Sequence, residues 1–237
     1  MIIDQSGAEG TITGYLDGST NGWIADPTVG DTFTKAPIDN TDDVHVAARG
    51  DGTNFYAGQL DDIRIWSDAR TVEEVAGNYQ RTDLTDATGL EARYTLDNPD
   101  FDAIDATPGL IDVSGNGHAI SAGGPPSDRF SDYAVLDGTG DYASFSDFHP
   151  VAGTGDFTIE AWVSPASTSG RFQHILAKGR TGNQGVAANN QNYALRLTTG
   201  GKLSFLFRNS KNTEWHRWTT KSGFATDAYW HHVAVTY

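Results

Sequence analysis

Three stretches of this chain carry residue types at spacings that could do chemistry. The first is LDDIRIW, residues 60–66, inside the longer run FYAGQLDDIRIWSDARTVEEVAGNYQ (55–80). Read as an extended strand, Asp61, Ile63 and Ile65 share one face, and Asp62, Arg64 and Trp66 share the other. A carboxylate at the head of an apolar face is costly unless something neutralises it. A Ca2+ ion, which takes carboxylates and backbone carbonyls, would do so, as would a buried backbone N–H or Arg93. The second stretch is RNSKNTEWHRW, residues 208–218, with Arg208, Trp215, His216, Arg217 and Trp218. Alternation sets Trp215 and Arg217 opposite His216 and Trp218. An exposed ring there could stack on a sugar while an Arg or Asn binds hydroxyls, or the Trp side chains pack on the outer sheet face. The Asn-, Gln- and Gly-rich segment 179–191, which includes Asn190, reads as a specificity loop on the same rim. The third is DVSGNG, residues 112–117. It lacks the 12-residue length and distal Glu of an EF-hand and reads as a tight turn.

Other chemistries find no footing. His231 and His232 are adjacent on a strand, so they point to opposite faces. No serine sits in a Gly-x-Ser-x-Gly elbow, and no glycine-rich loop has a phosphate-cradling pattern. The chain has no cysteine, which excludes thiol catalysis, disulfides and Cys-based metal sites. The sequence Arg49-Gly50-Asp51 would act in adhesion only on a mobile loop. With 16 Lys+Arg against 31 Asp+Glu, the formal net charge is −15. Such a surface repels phosphate backbones and anionic membranes, so no nucleic-acid partner is expected. No run approaches the roughly 20 apolar residues of a membrane helix, so no membrane insertion is expected. The first residues lack the basic and apolar regions of a signal peptide.

The elements that must position these groups are nearly all strands. Thr71 with Glu74 three residues on forms a capping box, opening a short helix through Val72, Val75 and Tyr79. Elsewhere, TITGYLDG (11–18), VHVAA (44–48), GLEARYTLD (89–97), YAVLDGTGDYASF (133–145), FTIEAWVSP (157–165), HILAK (174–178), NYALRLTT (192–199), KLSFLFR (202–208) and WHHVAVTY (230–237) follow with turns between. Many short strands, 11% aromatics and 27 glycines in 237 residues predict an all-β antiparallel sandwich with one helix.

Read together, ARYTLD, DVSGNG, AVLDGTGDYASF, FTIEAWVSP, WHHVAVTY, TITGYLDG and GQLDDIRIW resemble the LamG-like jelly-roll family of the concanavalin A-like lectin/glucanase superfamily. The resemblance covers nearly the whole chain in rotated order. Residues 1–88 correspond to the family's C-terminal half and 89–237 to its N-terminal half. The chain therefore reads as a single circularly permuted domain over 1–237, monomeric, with adjacent ends. A slice across two tandem modules, folding alike within one chain or as a half-domain-exchanged dimer, is the rival. The resemblance implies a structural Ca2+ where the last family strand meets the first, with Asp61 as ligand and Gly138, Asp97 and Asp141 as companions. Relatives that are glucanases carry Glu-x-Asp-x-x-Glu on one strand; here Glu160 stands alone in TIEAWV, so no enzyme is expected. The resemblance implies a non-catalytic binding or adhesion module for a carbohydrate or extracellular protein, within a larger exported protein. Arg208, Trp215, Arg217 and Asn190 are then the candidate ligand-binding residues. A spacer repeat with no ligand is the alternative.

Overall fold

The computed structural model describes residues 9–20, 23–25, 33–34, 42–79, 84, 86–96, 112–118, 121–122, 128–130, 133–145, 155–167, 170–179, 192–208, 216–221, 223 and 229–237. In chain order the strands begin with β1 (Glu9–Gly10), β2 (Thr13–Leu16), β3 (Ser19–Thr20), β4 (Trp23–Ala25), β5 (Phe33–Thr34), β6 (Val44–Val46) and β7 (Ala57–Trp66). Helix α1 (Val72–Asn78) follows, then β8 (Leu90–Tyr94), β9 (Ser121–Ala122), β10 (Asp128–Phe130), β11 (Tyr133–Asp137), β12 (Ala143–Phe145) and β13 (Thr158–Pro165). The last are β14 (Gln173–Lys178), β15 (Tyr193–Leu197), β16 (Leu203–Phe207), β17 (His216–Thr220) and β18 (His231–Thr236).

These strands form two antiparallel sheets and a small β1–β5 pair. The first sheet runs β10-β11-β7-β13-β18-β2-β3, with β8 also on β7; the second runs β4-β17-β16-β15-β14-β6-β12-β9. Alternating apolar residues send one face of each sheet into a common core: Ile63, Ile65, Ile159, Val163, Val233 and Val235 from the first meet Leu176, Leu195, Phe205 and Phe207 from the second. This is the expected β-sandwich with one helix.

Strands from before and after the helix interleave in both sheets. β7 lies between β13 on one side and β11 and β8 on the other; β6 lies between β14 and β12. β2 pairs with β18 through Thr13↔Thr236 and Leu16↔Val233. Taking β7 away would part β8 and β11 from the rest of their sheet.

The structure departs from the expected geometry at two places, in α1 and in β7. YAVLDGTGDYASF forms two strands around a turn: β11 joins β7 in the first sheet and β12 joins β6 in the second. Its turn thus carries the chain from one layer to the other. Of the helix face expected from Val72, Val75 and Tyr79, only Val75 is buried within the helix, and Val72 stays exposed.

The second departure decides the chemistry of β7. Opposite β13 the register shifts between Glu160, paired with Arg64, and Trp162, paired with Asp61. This is a β-bulge, and Asp62 takes the left-handed φ of 43° within it. Aspartate tolerates that conformation better than most residues. The extra residue brings Leu60 into the core beside Ile63 and Ile65. It also turns Asp61 onto the outer face with its cross-strand neighbour Trp162, correcting the expected face of Asp61. The physical reason is the cost of a carboxylate against apolar neighbours, which the bulge removes.

Candidate functional site

Of the expected metal ligands, Asp61 is half-buried and its Oδ1 accepts from the Asp62 amide at 2.7 Å. Gly138 occupies the tight turn after β11 at φ 82°, where an added Cβ would come 2.9 Å from Ala57 Cβ. It thus lies beside Ala57, whose partner is Asp137, four positions along β7 from Asp61. At 3.3 Å per residue that is about 13 Å, so the two cannot ligate one ion. Asp141 is buried and its carboxylate accepts from the Asp137 amide at 3.0 Å, closing its own turn. Asp97 lies outside the described residues. Among the described residues no three His, Asp or Glu side chains gather in one group.

The expected ligand-binding stretch is divided between two sides of a sheet. His216 and Trp218 on β17 are buried, stacked on Phe207 at 5.1 and 5.6 Å between ring centroids. Trp218 therefore packs in the core rather than on the outer sheet face. Arg217 is half-buried, paired across strands with Leu206 on the outer side. Arg208 is half-buried, its amide donating to Asn192 O at 2.9 Å. Trp215 and Asn190 lie outside the described residues.

What β7, β13 and β18 assemble instead is a buried polar layer on the outer face of the first sheet. Asp62, 8% exposed, accepts from Arg64 Nη2 and from Arg93 Nε at 2.7 Å and Nη2 at 3.2 Å. Arg93, one of the alternative partners foreseen for Asp61, pairs with Asp62. Arg64 is 1% exposed; its Nη1 donates to Glu160 Oε2 at 3.5 Å and to Asn78 O at 3.2 Å. His232 Nε2 stands 3.5 Å from that same Glu160 oxygen. Arg64 thus ties the sheet charges to the C-terminal end of α1. Sequence reading missed this layer because no local pattern shows Glu160 and His232 converging on Arg64 from two other strands. The one available signal was a run of polar residues on alternate positions of β7 and β13.

Helix α1 seals this layer. Val75 packs on Tyr15 and Ala234, and the Arg70 guanidinium lies 3.8 Å from the centre of the Trp66 ring. The expected capping box forms: the Glu74 amide donates to Thr71 Oγ1 at 3.3 Å and the Thr71 amide to Glu74 Oε2 at 2.8 Å. That Thr71 amide bond holds the Glu74 carboxyl below its usual range. Beyond the helix, Tyr79 stacks on Trp162 at 5.2 Å and His232 meets both rings edge-on. The adjacent His231 Nδ1 stands 3.1 Å from Asp17 Oδ2, so the two histidines do point to different surroundings.

DVSGNG is the tight turn its residues suggested. Asp112 Oδ1 accepts from the Arg93 and Ser114 amides at 3.0 and 2.9 Å, and Oδ2 accepts from the His118 amide at 3.0 Å. Burial alone would raise the Asp112 carboxyl, but these hydrogen bonds outweigh it and hold it below the usual carboxylate range. The Arg49-Gly50-Asp51 turn closes on itself: Arg49 Nε donates to Asp51 Oδ1 at 2.8 Å, and Thr53 Oγ1 donates to the same oxygen at 2.6 Å. The two charges of that motif are spent on each other.

On β7 and β13 the carboxylates of Asp62 and Glu160 are engaged within the sheet by Arg93, Arg64 and His232. Residues 137–237 match the laminin G-type model of the concanavalin A-like lectin/glucanases superfamily. That segment holds β12 to β18, hence four strands running β17-β16-β15-β14 in the second sheet and the β13–β18 pair in the first. Laminin G-type domains are generally non-catalytic and typically extracellular. Among the described residues no helix is long and apolar enough to cross a membrane. No curated protein and no solved structure matches the chain.

Proposed function

We propose that the chain is a non-catalytic binding module of an exported protein, recognising a carbohydrate or an extracellular partner. The observation that carries this reading is the placement of Glu160. It stands alone in TIEAWV without the Glu-x-Asp-x-x-Glu run of a glucanase, and it is fully buried beneath α1 against Arg64 and His232. A general acid must reach its substrate, and Glu160 does not. A glycan array with and without Ca2+, paired with a reducing-sugar assay on common glucans, tests the reading. Binding without sugar release is expected; sugar release would refute it.

The reading does not need the ion. A structural Ca2+ would have to draw on Asp61 or on the Gly138–Asp141 turn separately, and a fall in Tm on adding chelator would report it. The single permuted domain is part of the same proposal. Its support is the Thr13↔Thr236 pairing, which lays the first long strand alongside the last. Failure to bind any glycan or protein would favour a spacer role.

A further inference from the structure

Helix α1 covers only part of the first sheet's outer face. Beneath it Trp66, Thr158, Glu160 and Ala234 are fully buried. Past the C-cap Tyr79 the same face continues through Asp61, Trp162 and Trp230, all only half-buried. Asp61 and Trp162 are a directly opposed cross-strand pair, which puts their Cβ atoms about 5 Å apart. Trp230 has the same parity as His232, Trp162's partner on β18, and so extends the outer row. Tyr133 precedes Ala134, the partner of Leu60, and so flanks Asp61 on its other side. The rings of Tyr133 and Trp230 meet edge to face at 5.4 Å and 71°, although β7 and β13 lie between their strands. To do so across three strand spacings, roughly 14 Å, they must reach toward each other over that face.

We infer that this shelf of Tyr133, Asp61 and Trp230, bordered by Trp162 under the Tyr79 ring, binds a neutral pyranose. The inference rests on the carbohydrate branch of the proposed function and moves its site from the Arg208–Trp218 stretch to the opposite sheet. The part-exposed rings of Trp230 and Tyr133 offer apolar surface to the C–H face of a sugar ring, and a carboxylate beside them accepts its hydroxyls. Asp61 on the shelf and a net charge of −15 disfavour uronates and sulfated sugars.

The test is tryptophan fluorescence of the full chain, titrated with the methyl pyranosides of glucose, galactose and mannose and with neutral oligosaccharides built from them. A trimethylammonium compound is run in parallel. Saturable change with at least one neutral sugar is expected. It should be roughly tenfold weaker, about 1.4 kcal/mol, in Trp230→Ala and in Asp61→Asn. Tyr133→Ala should weaken it severalfold, and Arg217→Gln should leave it unchanged. Sugar binding that survives the three shelf variants but is lost in Arg217→Gln overturns the shelf and leaves the carbohydrate reading standing. Saturation by the trimethylammonium compound alone overturns the sugar assignment. No sugar bound by the unaltered chain removes the carbohydrate reading and the shelf with it.

Discussion

Replacing Arg64 by Met separates the buried charges under α1 and predicts a particular pattern of stability loss. Arg64 is 1% exposed and bridges Asp62, Glu160 and the carbonyl of Asn78. Without it Asp62 keeps Arg93, at 2.7 and 3.2 Å. Glu160 fares worse. It is 0% exposed, its Oε1 already finds no hydrogen-bond partner among the described residues, and its Oε2 would keep only His232 at 3.5 Å. Breaking a buried pair by removing one member typically costs about 3–5 kcal/mol, because the survivor is left charged and unpaired. Since Asp62 remains compensated, the lower end, about 3 kcal/mol, is expected. That is a large share of the roughly 5–15 kcal/mol that holds a domain folded. Adding Glu160→Gln to Arg64→Met removes the stranded charge, so the double variant should be more stable than the sum of the singles by about 1–2 kcal/mol. Guanidinium unfolding of the four proteins of this cycle, followed by tryptophan fluorescence, reads both quantities from the midpoint at constant slope. A cost below about 1 kcal/mol for Arg64→Met, or strict additivity in the double variant, would refute the reasoning.

Other predictions concern the turn, the cap and pH. Thr71→Ala removes the side-chain half of the capping box and should cost about 1 kcal/mol by chemical denaturation, with Thr71→Asp close to neutral. Gly138→Ala forces a Cβ to 2.9 Å from Ala57 Cβ at φ 82°, and a loss of about 1–3 kcal/mol is expected in the same assay. The depressed Asp112 carboxyl contributes stability that is full above its unfolded range near pH 4 and lost as pH falls through its folded value. The Tm gap between wild type and Asp112→Asn should therefore be wide at neutral pH and close in strong acid. Burial lowers His45, so the unfolded chain takes up a proton first, and stability should fall as pH drops below about 6.5. His45→Gln should flatten that limb of a Tm-against-pH curve.

Local pattern did not specify short strands such as β4, β5, β9 and β10, but it was enough for most of the longer strands, the capped helix and the DVSGNG turn. Each is decided by near neighbours: period-two alternation for FTIEAWVSP and KLSFLFR, Thr71 with Glu74 for the helix start, and Asp112 reaching amides at 114 and 118 for the turn. Apolar alternation also placed Ile63, Ile65, Ile159 and Val163 in the core before any fold was known. The tertiary structure alone decided where the charges of LDDIRIW point. One extra residue at Asp62 reverses the parity of everything before it, and a bulge is set by the register against β13, which no local spacing records. The same holds for the site. Glu160, Arg64 and His232 are each unremarkable in sequence, and become one buried layer only because β13 pairs with β7 on one side and β18 on the other. Chemistry that joins distant strands is written in the pairing of those strands, and sequence spacing reports only the part that neighbours along the chain can settle.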